Sequence, residues 1–121
     1  MRRNRQPRRL VVGEETWHWS VRHRHAPHAC SEVLSLHHGG TRTTLRLVFR
    51  AQPGRMVPDG LLHSGGVGDR RGGVLNLHEP GVVRRFVDEV TARGLVPPVA
   101  REAEWDGWPL YDTVVGRHDG A

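Results

Sequence analysis

The sequence predicts an α+β fold, an antiparallel sheet of five or six strands covered by one amphipathic helix. Three observations predict it. Residues 10–50 alternate apolar and polar side chains with period two, broken by Gly and Pro. Residues 79–94 switch to a helical period. The chain has 121 residues, enough for one ordinary core and too few for two.

Leu10–Val12 is a short β-prone run closed by the turn Gly13-Glu14-Glu15. From Thr16 to His25 the chain alternates. Trp17, Trp19 and Val21 share one face, which predicts core, and His18, Ser20, Arg22 and Arg24 share the other. His23 and His25 continue the Trp face and make its end polar, and Ala26-Pro27 ends the strand. Glu32–His38 forms the next strand, with Val33, Leu34 and Leu36 apolar. Gly39-Gly40 reads as a two-residue hairpin turn. Thr41–Arg50 returns with Leu45, Leu47 and Phe49 on one face. Pro53-Gly54 is a turn pair. Met56–His63 reads as a further strand interrupted at Pro58-Asp59-Gly60, residues 64–73 (five glycines in ten) as a flexible loop, and Val74–Leu77 as a short strand.

The helix opens at Glu79-Pro80-Gly81, where proline loses no hydrogen bond. Val82, Val83, Phe86, Val87 and Val90 form its apolar stripe, expected to lie on the Leu45-Leu47-Phe49 face. Arg84–Asp88 and Arg85–Glu89 are i,i+4 pairs opposite that stripe. Gly94 stops the helix. Leu95–Ala103 reads as a linker, residues 104–109 as a turn with two tryptophans, and Leu110–Val115 as a last edge strand. The expected division is a basic, disordered arm over 1–9, one domain over 10–115 and a frayed end over 116–121.

The charge layout qualifies the net +5. Residues 1–9 carry five arginines and no acid. The remaining thirteen of the eighteen basic residues face thirteen acids, so the rest of the chain is formally neutral. Every basic residue is Arg. This composition is expected of a high-GC bacterial genome, and guanidinium is also the better fork for phosphate. No apolar run approaches the ~20 residues of a membrane span. Leu10-Val11-Val12 is too short for the apolar region of a signal peptide. One cysteine and no export signal point to the cytoplasm and exclude a disulfide scaffold.

The stretches N-L-H-E-P-G-V-V-R (76–84), D-G-W-P-L-Y-D (106–112) and V-x-G-E-x-x-W-x-W-S-V-R (11–22) resemble a pattern in small uncharacterised single-domain proteins of high-GC bacteria. The resemblance spans about residues 10–115. It implies a stand-alone bacterial domain and carries over no functional residue. The histidine-rich stretch from His23 to His38 is not part of it.

Three candidate sites follow from the residues. His23-x-His25-x2-His28-x-Cys30 offers three imidazoles and a thiol, which are zinc donors. The i,i+2 pair places two rings on one strand face, but the spacing matches no standard finger, knuckle or ribbon, and solvated strand-end histidines are the simpler reading. Trp105, Trp108 and Tyr111 surround a turn and suggest a surface for a protein partner or for self-association. Arg2, Arg3, Arg5, Arg8 and Arg9 of the arm, with Arg22, Arg24, Arg46 and Arg50 of the sheet, suggest phosphate contacts to nucleic acid.

Other motifs fail on their spacing. His78-Glu79 lacks the second histidine of a zincin, since position 82 is Val82. Gly66-Val67-Gly68 lacks the spacing of a dinucleotide fingerprint, and no Lys exists for a phosphate loop. Ser64 lacks the glycine of a nucleophile elbow. A Cys30–His28 thiolate pair and a small ribonuclease built from His, Glu and Arg have the residue types but no constellation. The sequence therefore favours a non-enzymatic binding or interaction module that requires no cofactor. A nucleic-acid-associated protein ranks second, and a metal-binding or ribonuclease-like protein third.

Overall fold

The fold is α+β, seen in a computed structural model that describes residues 7–58 and 64–120, with backbone alone for 117–120. The main sheet joins β1 (Arg8–Val12), β2 (Glu15–Arg24), β3 (Ser31–His38) and β4 (Thr43–Arg50) as an antiparallel meander in chain order. A small second sheet follows, made of β5 (Arg55–Met56), β6 (Gly66–Asp69) and β7 (Val74–Asn76). After helix α1 (Pro80–Ala92), β8 (Glu102–Asp106) returns to the main sheet and pairs parallel to β4. Helix α2 (Trp108–Gly120) closes the chain. Among the described residues, no helix is long and apolar enough to cross a membrane.

Period-two patterning acts as expected in β1–β4. Trp17, Trp19, Val21, Leu34, Leu36, Leu45, Leu47 and Phe49 line one sheet face, and all are buried. Each fully buried side chain of this kind contributes about 1.5–3 kcal/mol of transfer free energy. Phe86 of α1 and Trp108 of α2 meet Phe49 edge-on, with centroids at 5.7 and 5.2 Å. Both helices therefore converge on one ring of β4. The C-terminus of α1 is a complete Schellman motif around Gly94 (φ 68°), with Leu95 N–H on the Val90 carbonyl and Gly94 N–H on that of Thr91. Arg84 pairs with Asp88 as expected, and the buried Glu89 accepts from Arg93 Nε at 2.8 Å.

The structure corrects six local expectations. The segment Leu110–Val115 is helical, because Trp108, Tyr111, Leu110 and Val114 recur at i+3 and i+4 and all are buried. Asp106 Oδ1 accepts the Trp108 N–H at 3.1 Å and starts this second helix. The last strand lies earlier, at β8, inside the expected linker and turn. The Gly39-Gly40 turn is a four-residue connection, since His38 faces Thr43. His38 Nδ1 accepts the Thr41 N–H and lies 2.8 Å from the Thr41 hydroxyl, which lies 2.9 Å from that of Thr43, and Arg42 takes φ 58° to close the loop. Within the expected flexible loop 64–73, β6 pairs with both β5 and β7 and buries Val67. Arg8 and Arg9, assigned to the arm, belong to β1. Of the expected strand Met56–His63, Met56 alone among the described residues lies in a strand, β5, and residues 59–63 lie outside the described residues, as do Arg2, Arg3 and Arg5.

Candidate metal centre

The core face of the main sheet ends in a polar row. His23 and Glu32 are register partners on β2 and β3, and Glu32 in turn faces Phe49. Glu32 shares the parity of Leu34 and Leu36, so its carboxylate points into the protein and is 1% exposed. A carboxylate removed from water to this degree needs strong partners. Two are present. His23 Nδ1 lies 2.8 Å from Glu32 Oε1, and the Gly65 N–H donates to Oε2 at 2.8 Å. Gly65 (φ 83°) is held by the His78 ring, which a Cβ at that position would meet at 2.4 Å. The Gly65 carbonyl accepts from Leu77. The buried acid thus ties the β2–β3 hairpin to the second sheet.

The β2–β3 loop brings the other donors to the same end. Cys30 Sγ lies 3.2 Å from His25 Nδ1, and the Cys30 carbonyl accepts the Ala51 N–H at 2.9 Å. His23, His25 and Cys30 each place a donor atom within 4.8 Å of the others. Tetrahedral zinc with ordinary Zn–N and Zn–S bonds needs neighbouring donors about 3.3–3.5 Å apart. The His25–Cys30 pair is already near that separation, and the His23 ring must approach for its donor to complete the set, by up to about 1.5 Å from the 4.8 Å limit. Because Glu32 occupies Nδ1 of His23, the nitrogen that His23 offers a metal is Nε2. A carboxylate that accepts from one ring nitrogen while the other ligates is the usual support of a metal-binding histidine. Three protein ligands leave a fourth tetrahedral position for water or an incoming donor.

Of the four sequence-predicted metal residues, His23, His25 and Cys30 come together, while His28 is exposed and outside the cluster. Sequence reasoning missed Glu32. A signal existed, since an acid at i−2 and i−4 from Leu34 and Leu36 is an acid on the core face.

The Trp105, Trp108 and Tyr111 surface does not survive as predicted. Trp108 and Tyr111 are core residues, because residues 108–120 are helical and turn both rings inward, with Trp108 Nε1 donating to the Arg50 carbonyl at 3.0 Å. Trp105 alone is exposed, on edge strand β8.

By register, Arg22, Arg24, Arg46 and Arg50 do share the outer sheet face. That face also carries Glu102, Glu104 and Asp106 of β8. Arg24 pairs with Glu104 at 3.2 Å and Arg46 with Glu102 at 3.0 Å, so two of the four guanidiniums are committed. Arg8 stacks on Trp19 and donates to the His78 carbonyl at 3.0 Å.

A second polar cluster lies beside α2. Arg55 makes a two-pronged salt bridge to Asp112, at 2.7 and 2.8 Å, and lies over the Trp108 ring. The Asp112 bond raises the Arg55 pKa further. The Tyr111 hydroxyl donates to Asp69 Oδ2 at 2.7 Å. Burial, then the Asp69 bond, pushes the tyrosine well above its ordinary value, and the same bond holds Asp69 below the usual carboxylate range.

Comparison with protein families, curated proteins and solved structures finds no match to this chain. The functional reading therefore rests on the site itself.

Proposed function

We propose that the protein is a small, non-enzymatic metal-binding module that holds one zinc ion through His23, His25 and Cys30. The observation that carries this reading is the Glu32–His23 pair, a buried carboxylate spent on orienting one imidazole beside a second imidazole and a thiol. A solvated strand-end histidine needs no such support. Two imidazoles and one thiolate suit zinc better than calcium or magnesium, which take oxygen ligands. The open fourth position gives the module its interaction role, because a donor from a partner protein or a second copy can complete it. The cytoplasm fits this reading, since Cys30 must stay reduced to ligate.

The test is native mass spectrometry of the untagged, metal-free protein titrated with zinc, beside Cys30→Ser and His25→Asn. The expected result is one tightly held zinc per chain, lost in both variants, with a thiolate-to-metal charge-transfer band on cobalt substitution. Zinc uptake that is equal in the wild type and both variants would assign binding to other histidines and overturn the proposal.

A further inference from the structure

A cleft of about 630 Å³ opens between the Pro53-Gly54 turn, the β6–β7 hairpin tip and one face of α2. That volume lies in the range of small-molecule sites. Its charged groups are Arg55, Arg70 and Arg71 against Asp69 and Asp112. The two acids are already satisfied. Asp112 takes both prongs of Arg55. Asp69 takes the Tyr111 hydroxyl on one oxygen and the N–H groups of Arg71 and Gly73 on the other. Arg70 and Arg71 make no side-chain ion pair among the described residues.

The arginines are carried on a stiff support. The Asp69 side chain ties the hairpin tip, and Gly73 must be glycine there, because a Cβ would meet Asp69 Oδ2 at 2.6 Å and the Tyr111 hydroxyl at 3.0 Å. The Arg70 N–H donates to the Gly54 carbonyl at 3.1 Å, and its guanidinium lies 3.6 Å from where a Gly54 Cβ would stand. Gly54 takes φ 79° in the turn, a left-handed conformation that favours glycine. Gly116 leaves the α2 wall of the cleft open, with nothing within 4 Å of a Cβ there.

We infer that this cleft binds a phosphorylated small molecule of about nucleotide size, with Arg70 and Arg71 gripping its phosphates and Arg55 fixed at the rim by Asp112. Guanidinium forks match phosphate oxygens two at a time. The satisfied acids add no competing acceptor, and Pro53 and Val115 supply apolar wall for the rest of the ligand. The inference is independent of the metal centre.

The probe is inorganic pyrophosphate, titrated into the full chain by calorimetry and followed by backbone amide shifts at constant ionic strength. The expected result is saturable 1:1 binding, with shifts centred on Gly54, Arg70–Gly73 and Gly116. Arg70→Gln with Arg71→Gln should weaken binding at least tenfold, while Arg84→Gln on the surface of α1 leaves it unchanged. Three outcomes overturn the inference: no saturable binding, equal loss in the Arg84 variant, or shifts centred on the arginines of residues 1–9. Thermal melts of the variants separate loss of binding from loss of fold.

Discussion

Replacing Glu32 by glutamine tests the metal centre at the residue that organises it. The introduced amide keeps an oxygen for the Gly65 N–H but offers a donor where the carboxylate accepted. His23 Nδ1 must then accept, so the ring proton moves to Nε2, the nitrogen needed for the metal. Loss of such a supporting carboxylate costs roughly 10–100-fold in metal affinity, or about 1.4–2.7 kcal/mol. The metal-free fold should lose less, about 1 kcal/mol, because one charge-assisted bond becomes neutral. Glu32→Leu separates the two effects. It strands the buried Gly65 N–H, which costs about 1–3 kcal/mol of stability, whereas the half-exposed His23 ring turns to water. A competition titration against a chromophoric chelator reads the affinity, urea unfolding reads the stability, and ¹⁵N shifts of the His23 ring report the tautomer. If Glu32→Gln binds zinc within twofold of wild type while Nδ1 has changed from donor to acceptor, the orienting role assigned to Glu32 is wrong.

Three further outcomes are expected. Tyr111 favours its neutral form when folded, so its contribution is intact below its unfolded value of 10.0 and lost as pH rises above it. The depressed Asp69 contributes above its unfolded value of 3.8 and loses that contribution as pH falls below it. Tyr111→Phe should flatten both arms of the stability–pH curve, and unchanged slopes in chemical unfolding from pH 3 to 11 would refute the coupling. Gly107→Ala places a Cβ at 2.5 Å from the Phe49 ring, on which both helices converge, and should destabilise by about 1–3 kcal/mol or more; a melt within a degree of wild type would contradict it. Leu36→Ala, at a fully buried position opposite Trp19 and Leu45, should cost about 2–5 kcal/mol in urea, and a cost below 1 kcal/mol would show that the sheet face relaxes into the cavity.

The core was legible in the sequence because its signals are local. Alternation placed Trp17, Trp19, Leu45, Leu47 and Phe49 on one face, and the Val82–Val90 stripe with Gly94 bounded α1. Three of four metal donors were legible for the same reason, since a hairpin returns residues 23–25 and 30 to one place. Second-helix formation at 108–120 was missed because a short apolar run ending in Val114-Val115 favours either period, and packing of Trp108 on Phe49 decides it. The Gly-rich segment 64–73 looked structureless, yet its glycines admit close backbone approach to His78 and to the Asp69–Tyr111 pair.

What the sequence determined by itself was the class of fold, the inner face of the meander and the first helix, since these follow from side-chain period and turn chemistry within a few residues. What only the tertiary structure decided were the contacts that close distance along the chain. β8 reaches β4 across more than fifty residues, Glu32 finds Gly65, and Asp69 finds Tyr111. Each depends on which polar groups burial leaves in need of a partner, and that need is set by the whole fold rather than by any one segment.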